Sequence, residues 1–383
     1  MKLTTKMRLT SVTLLCALAA PMHLCAQKTS SQIISLDAPG ADTTAGDFNG
    51  TYAMSINNSG VITGSYIDVN DVNYGFLRTP DGKYTAFQAP GADTTKGSYN
   101  GTSPSAINDL GVVTGSYADA KSFDHGFLRS PEGKFITIDV PGAGGYGTIP
   151  IAINLEGTVV GYYTDANLLF HAFARTPDGK FVTYVGPGAC DSNPNAGCYG
   201  TGALAVNILQ TIAGGYSDNS GNFVHHALVR PPGGQLTTFE APGAGTGLNQ
   251  GTGCPGCAPG LNQWGAIAGT YTDTNNVYHG YLRSPQGKFT KFDVPAAGSE
   301  AYEGTGCPSD CPVSLNDLGA ITGIYIGTDD NLHGYLRSPV GQFTTFDGPG
   351  SLEMYFVNLN DWGSITGYYI DANYVYHGFL RVP

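Results

Sequence analysis

One motif, G-x-Y-x-D, with Gly327 in place of the Asp in the sixth copy, returns along the chain with its first glycine at Gly64, Gly115, Gly161, Gly214, Gly269, Gly323 and Gly367. Seven copies at intervals of 44 to 55 residues mark a repeat architecture, which limits the fold more than any other property of the chain. Each copy reads A-I-N-D-x-G, then V-I-T-G-x-Y-x-D, then H-G-F-L-R-S-P, then G-K-F-T-T-F-D-x-P-G-A. These segments are short, rich in Val, Ile, Thr, Tyr and Phe, and separated by turn signals such as "NDLG", "SPDGK" and "DVPGA", so they are predicted as strands. No window beyond the first 26 residues has a helical apolar period. Four strands per copy, seven times over, predict an all-β chain: a seven-bladed β-propeller with four antiparallel strands per blade.

The last copy stops at Pro383 after three strands. "IISLDAPGA", Ile33 to Ala41, matches a fourth strand and has no first three before it. Ile33 to Asp37 are therefore expected to pair as the outer strand of the blade formed by residues 355 to 382, closing the ring and removing its exposed edges.

The copies resemble the HAF-type repeat of bacterial extracellular proteins, A-I-N-x-x-G-x-V-V-G followed by H-A-F. "AINLEGTVVGYY" with His171, Ala172 and Phe173 matches it most literally. The resemblance covers nearly all of the chain after the leader. It implies secretion and a propeller-like fold, and carries no established reaction.

Residues 1–26 read as a cleaved signal peptide: Lys2, Lys6 and Arg8, then the apolar "LTSVTLLCALAA", then a cleavage site at Leu24-Cys25-Ala26. Bulky Leu24 argues against a lipid anchor on Cys25. Residues 27–383 are then a single secreted or periplasmic propeller domain, with no later stretch long enough for a membrane span. Cleavage would remove three basic residues and no acid, taking the formal charge from −12 to −15. That balance excludes nucleic acid and anionic membrane surfaces as partners.

Residues that recur in every copy are expected to serve the fold. Asn57, Asn108, Asn154, Asn207, Asn262, Asn316 and Asn360 read as turn residues. Beyond the leader, every arginine is a repeat residue, from Arg78 to Arg381. Pairing Asp119 with His125 would set Tyr117 opposite Phe127 and Gly115 opposite Arg129, the glycine leaving room for the arginine stem. The repeat histidines, such as His125 and His279, are too far apart between blades to share a metal, and each is expected to bond the Asp of its own hairpin.

Cys190 with Cys198, Cys254 with Cys257 and Cys307 with Cys311 are predicted as local disulfides, with a four-cysteine zinc site over "CPGC" and "CPSDC" as the alternative. Asp-x-Asn hairpins such as Asp68 to Asn70 offer oxygens to calcium, although Asx turns explain them equally well. No other cofactor is implied.

The first strands, read as "AMSIN", "PSAIN" and so on to "FVNLN", hold no titratable side chain, and no nucleophile or cofactor motif occurs elsewhere. A non-enzymatic binding or scaffold module follows. The alternatives are a glycosidase or lyase acting on polysaccharide, and a purely structural envelope protein. The long variable loops carry the candidate binding residues Phe48, Asn49, Tyr52, Tyr99, Asn100, Tyr199 and Tyr302, a mix suited to a neutral glycan or polar peptide.

Overall fold

In the computed structural model, which describes residues 32–46, 48–190, 200–253, 256–308 and 311–383, the regular elements are β-strands and no helix occurs among the described residues. The second copy shows the unit. Thr102–Ile107, Val113–Ala118, Asp124–Arg129 and Phe135–Ile138 pair in chain order as a four-stranded antiparallel sheet. β-Branched and aromatic residues fill these strands. The turns between them place Gly111 and Gly133 at φ of 77° and 86°, a region where a side chain is disfavoured. The last copy contributes three strands, Ser351–Leu359, Ile365–Asp371 and Tyr376–Val382. Its fourth comes from the other end of the chain: Gln32–Leu36 runs antiparallel to Tyr376–Val382, with Leu36 opposite Gly378.

Within the second hairpin the pairing differs from expectation by two residues. Tyr117 faces His125, Gly115 faces Phe127, and Val113 faces Arg129. Asp119 lies beyond the strand because its Oδ1 accepts the N–H groups of Lys121 and Phe123, and this Asx turn consumes the residues assigned to the ladder. The recurrent glycine therefore makes no room for arginine. A Cβ on Gly115 would strike the carbonyl of Ser103, where the first strand bulges between Pro104 and Ala106. The arginines reach the neighbouring copy instead. Arg129 lies 4.7 Å from the ring centre of Phe87, Arg283 4.7 Å from Phe239, and Arg337 5.1 Å from Phe292.

The core sits between adjacent copies rather than inside any one sheet. Ile107, Val113 and Phe127 pack with Ala89 and Leu77 of the preceding copy. In the same way, Leu36 and Ala38 pack with Ala53, Ile62 and Phe76.

The recurrent asparagines do make turns, and each described bond adds a second role. Asn108 Oδ1 accepts from the N–H groups of Leu110 and Val112 at 3.1 and 2.9 Å, while its Nδ2 donates to the carbonyl of Asn154 in the next copy at 3.0 Å. Asn57 donates likewise to Asn108, Asn154 to Asn207, Asn207 to Asn262, Asn316 to Asn360, and Asn360 to Asn57. A second tier follows the first: the N–H groups of Asn58, Gln263, Asp317 and Asp361 donate to the side chains of Asp109, Asp317, Asp361 and Asn58.

Each repeat histidine stacks on the tyrosine of its own sheet, as His279 does on Tyr271 with centroids 4.9 Å apart. His171 bonds the Asp165 of its own hairpin at 3.2 Å, as expected, but where a second acid follows the fourth strand the hairpin acid is the more distant partner. His279 Nε2 is 3.5 Å from Asp273, whereas Nδ1 is 2.9 Å from Asp293, which follows the fourth strand. In the last copy the near acid is Asp37, 2.8 Å from His377 Nδ1, so the N-terminal strand completes this arrangement as well. The hydrogen bonds to Asp293 and Asp37 raise His279 and His377 above the usual imidazole range, against the opposing effect of burial.

Cys307 and Cys311 form a disulfide with Cα atoms 5.9 Å apart, which takes two of the thiols of the zinc alternative. Cys190 and Cys257 are disulfide-bonded too, and their expected partners Cys198 and Cys254 lie outside the described residues. The Asp-x-Asn oxygens engage backbone N–H groups, as Asp68 Oδ1 does with Asn70 and Val72. Among the described residues no three His, Cys, Asp or Glu side chains are grouped to hold a metal ion, and no helix is long and apolar enough to cross a membrane.

Two predictions follow from this packing. Leu36 is 3% exposed, so Leu36→Ala should destabilise the protein by about 2–5 kcal/mol in urea titration; a change below about 0.5 kcal/mol would contradict the pairing of the N-terminal strand. Where a histidine is raised above 6.5, the folded state holds protons that the unfolded state has lost. Stability should therefore fall as pH rises above about 6.5, and His279→Gln should flatten part of that slope in thermal melts. A melt unchanged over this window would contradict the carboxylate–imidazole arrangement.

Candidate ligand-binding site

Two loop types meet at one end of every seam between copies: the hairpin after the second strand, and the segment entering the next first strand. Backbone hydrogen bonds stitch them together. Tyr99 N–H donates to the carbonyl of Asp71, Tyr302 N–H to Asn276, and Tyr376 N–H to Asn49. The entering segment must come very close to the third strand, so a glycine is required there. Gly50, at φ 118°, has no room for a Cβ against the Tyr376 carbonyl, and Gly101 stands in the same relation to Asn73.

These constraints hold the backbone at each seam nearly constant and leave three side chains free to vary. One is the residue that opens the third strand. It is Asn73, Asp124, His225, Tyr278 and Tyr376 in different copies. At the seam between the last copy and the first, several of these positions are aromatic together. Tyr52 and Tyr376 stack with centroids 4.8 Å apart, and Tyr368 meets Tyr52 edge-on at 5.1 Å. Tyr355 lies 5.9 Å from Tyr376. Phe48 and Tyr374 stand over this cluster, 61% and 56% exposed, both in the left-handed backbone region at φ 70° and 61°. The same left-handed backbone recurs at the corresponding turns of other copies, as at Asp71, Ser122, Asn276, Tyr99 and Tyr302, so it belongs to the repeat.

A cavity of about 260 Å³ lies among them, lined by Phe48, Leu352, Glu353, Tyr355, Ile370, Tyr374 and Tyr376. Tyr355 Oη donates to Glu353 Oε2 at 2.6 Å, and Tyr52 Oη donates to the carbonyl of Phe48 at 2.7 Å, fixing the exposed ring's backbone. Burial raises the Tyr52 and Tyr355 hydroxyls far above the ordinary phenol value, so both remain donors at neutral pH. Glu353 corrects one expectation. The first strand of the last copy starts at Ser351, ahead of "FVNLN", and so carries a carboxylate. Among the described lining residues it is the one acid, whereas general acid–base cleavage of a glycosidic bond uses two.

The residues expected from the loops are distributed around this end of the molecule. Phe48 lines the cavity, and Tyr52 stacks on the lining residue Tyr376. Asn49 is buried, its Nδ2 directed at Asp42 Oδ2 and the Thr44 carbonyl, and it organises the loop. Asn100 plays the same part with Asp93. Tyr99 and Tyr302 are exposed at the equivalent places of other seams and do not join Phe48. Tyr199 lies outside the described residues. Sequence reasoning missed Glu353, Tyr355, Tyr374 and Tyr376; the available signal was the last copy's surplus of aromatic residues, "EMYF" and "ANYVY".

Neither a protein-family model nor a curated protein matches the chain in sequence. Solved structures do match it in shape. A lectin from Burkholderia pseudomallei superposes with a TM-score of 0.52 at 9% identity, covering 86% of this chain and 94% of its own. A puromycin hydrolase gives 0.53 at 11% identity, covering 86% of this chain and 51% of its own, so this chain spans about half the hydrolase's length. At such low identity the likeness establishes the fold alone: all-β and propeller-like.

Proposed function

We propose that the chain is a secreted or periplasmic seven-bladed β-propeller, akin to the HAF-type repeat proteins, with its last blade completed by the N-terminal strand. In this reading it acts as a non-enzymatic binding module that takes a glycan or polar peptide at the aromatic cavity. Seven copies of one four-strand pattern support the blade count. The hydrogen bond from Asn360 back to Asn57, with the pairing of Gln32–Leu36 to Tyr376–Val382, supports closure. The observation that carries the binding role is the seam between the last and first copies, where four aromatic rings line an open cavity. A lectin among the fold neighbours agrees with a role in sugar recognition, since tyrosine rings stack on sugar faces while their hydroxyls donate. The reading of a glycosidase or lyase has one carboxylate to draw on among the described lining residues.

A glycan array probed with the secreted protein tests this proposal. Tyr374→Ala should weaken captured ligands by roughly two- to tenfold, equivalent to about 0.5–1.5 kcal/mol per ring, with an unchanged melting temperature because the side chain is exposed. Ligands retained at full affinity by Tyr374→Ala would place recognition elsewhere. Product release from a polysaccharide would favour the enzyme.

A further inference from the structure

We infer that the cavity at the seam between last and first copies recognises a quaternary ammonium group, through the rings of Phe48, Tyr355, Tyr374 and Tyr376 together with the carboxylate of Glu353. This rests on the reading that the cavity is a ligand site, and it names the chemical group that the ligand presents. The argument is one of wall chemistry. A neutral sugar is held by several donors and acceptors aimed at its hydroxyls, usually amides, carboxylates and guanidinium groups beside a stacking ring. Among the described residues the lining has no Asn, Gln, Arg, Lys, Ser or Thr. It has four aromatic rings, two aliphatic side chains and one carboxylate.

Aromatic faces carry negative charge density and attract a soft, weakly hydrated cation within about 6 Å of the ring centre. Glu353 adds a formal negative charge, and Tyr355 holds one of its oxygens by hydrogen bond at 2.6 Å, so the carboxylate is positioned before any ligand arrives. Leu352 and Ile370 meet the methyl groups of such a cation without demanding hydrogen bonds. The chain's net charge of −12 draws cations towards it. Phe48 and Tyr374 both line the cavity and are largely exposed, so their rings are available to a ligand.

Calorimetry with choline chloride and with dimethylbutanol, its uncharged carbon isostere, separates charge from shape. Choline should bind at least about tenfold more tightly than the isostere. Glu353→Gln should weaken choline about tenfold while leaving the isostere unchanged, and Tyr374→Ala should weaken choline at an unchanged melting temperature. Equal binding of choline and the isostere overturns the assignment of a cation and leaves the cavity a binding site. Failure to bind choline, with array glycans bound in a Tyr374-dependent way, overturns the ammonium assignment alone. Failure of both choline and glycans overturns it along with the binding reading beneath it.

Discussion

A primary amide at the end of each first strand holds this architecture together. An asparagine side chain offers one acceptor and two donors in a single plane. Here the acceptor closes the residue's own turn, and the amino group reaches the carbonyl of the equivalent asparagine one copy further on. One residue thus sets both the shape of a hairpin and the spacing between sheets. Aspartate would keep the turn and lose the donor; alanine would lose both and leave a buried carbonyl with one partner fewer. Because position is enforced at this end, and again by arginines lying over neighbouring rings, the opposite end can tolerate loops of different length and chemistry.

That division explains what could be read from the residues and what could not. Strand order, turn positions and the partner of the N-terminal strand follow from local patterns and from counting strands in each copy. The hairpin register did not follow, since Asp119 spends its carboxylate on backbone N–H groups and leaves the ladder early. The nearer histidine partner was hidden for a different reason. Asp293 is 14 residues from His279 in sequence and comes beside it only when the fourth strand folds back. The candidate site was legible only in part. Phe48 and Tyr52 were picked out by their loop, but their counterparts Tyr374 and Tyr376 belong to the far end of the chain. No spacing rule connects them, and only the ring of contacts between first and last copies brings them together.

Internal repetition also provides a substitute for comparison between species. Where copies agree, the physical reason is visible in nearly every case: a close backbone approach at glycine, a shared amide, a ring beneath a guanidinium. Where they disagree, the backbone is still the same and only the side chain has been exchanged. His225 illustrates how freely this position varies. It occupies the place of Tyr376, and burial, with the neighbouring His226, pushes it down to about 4, so it stays neutral where its neighbour is charged. The scaffold accepts polar, acidic, basic and aromatic residues at one site without altering its hydrogen-bonded frame.

The strand Gln32–Leu36 has a further consequence for the order of events during folding. It is synthesised first, yet its ladder partner, Tyr376–Val382, is synthesised last. Throughout elongation Ile33, Ile34 and Leu36 have no sheet to join, and neighbouring strands with unfilled edges are open to pairing with one another or with a second chain. A contact spanning nearly the whole chain also carries a large loop-closure entropy, which places it late on the folding pathway. Phe48 and the rings of the last copy meet across the same first-to-last seam, so the cavity too is built from the two ends of the chain.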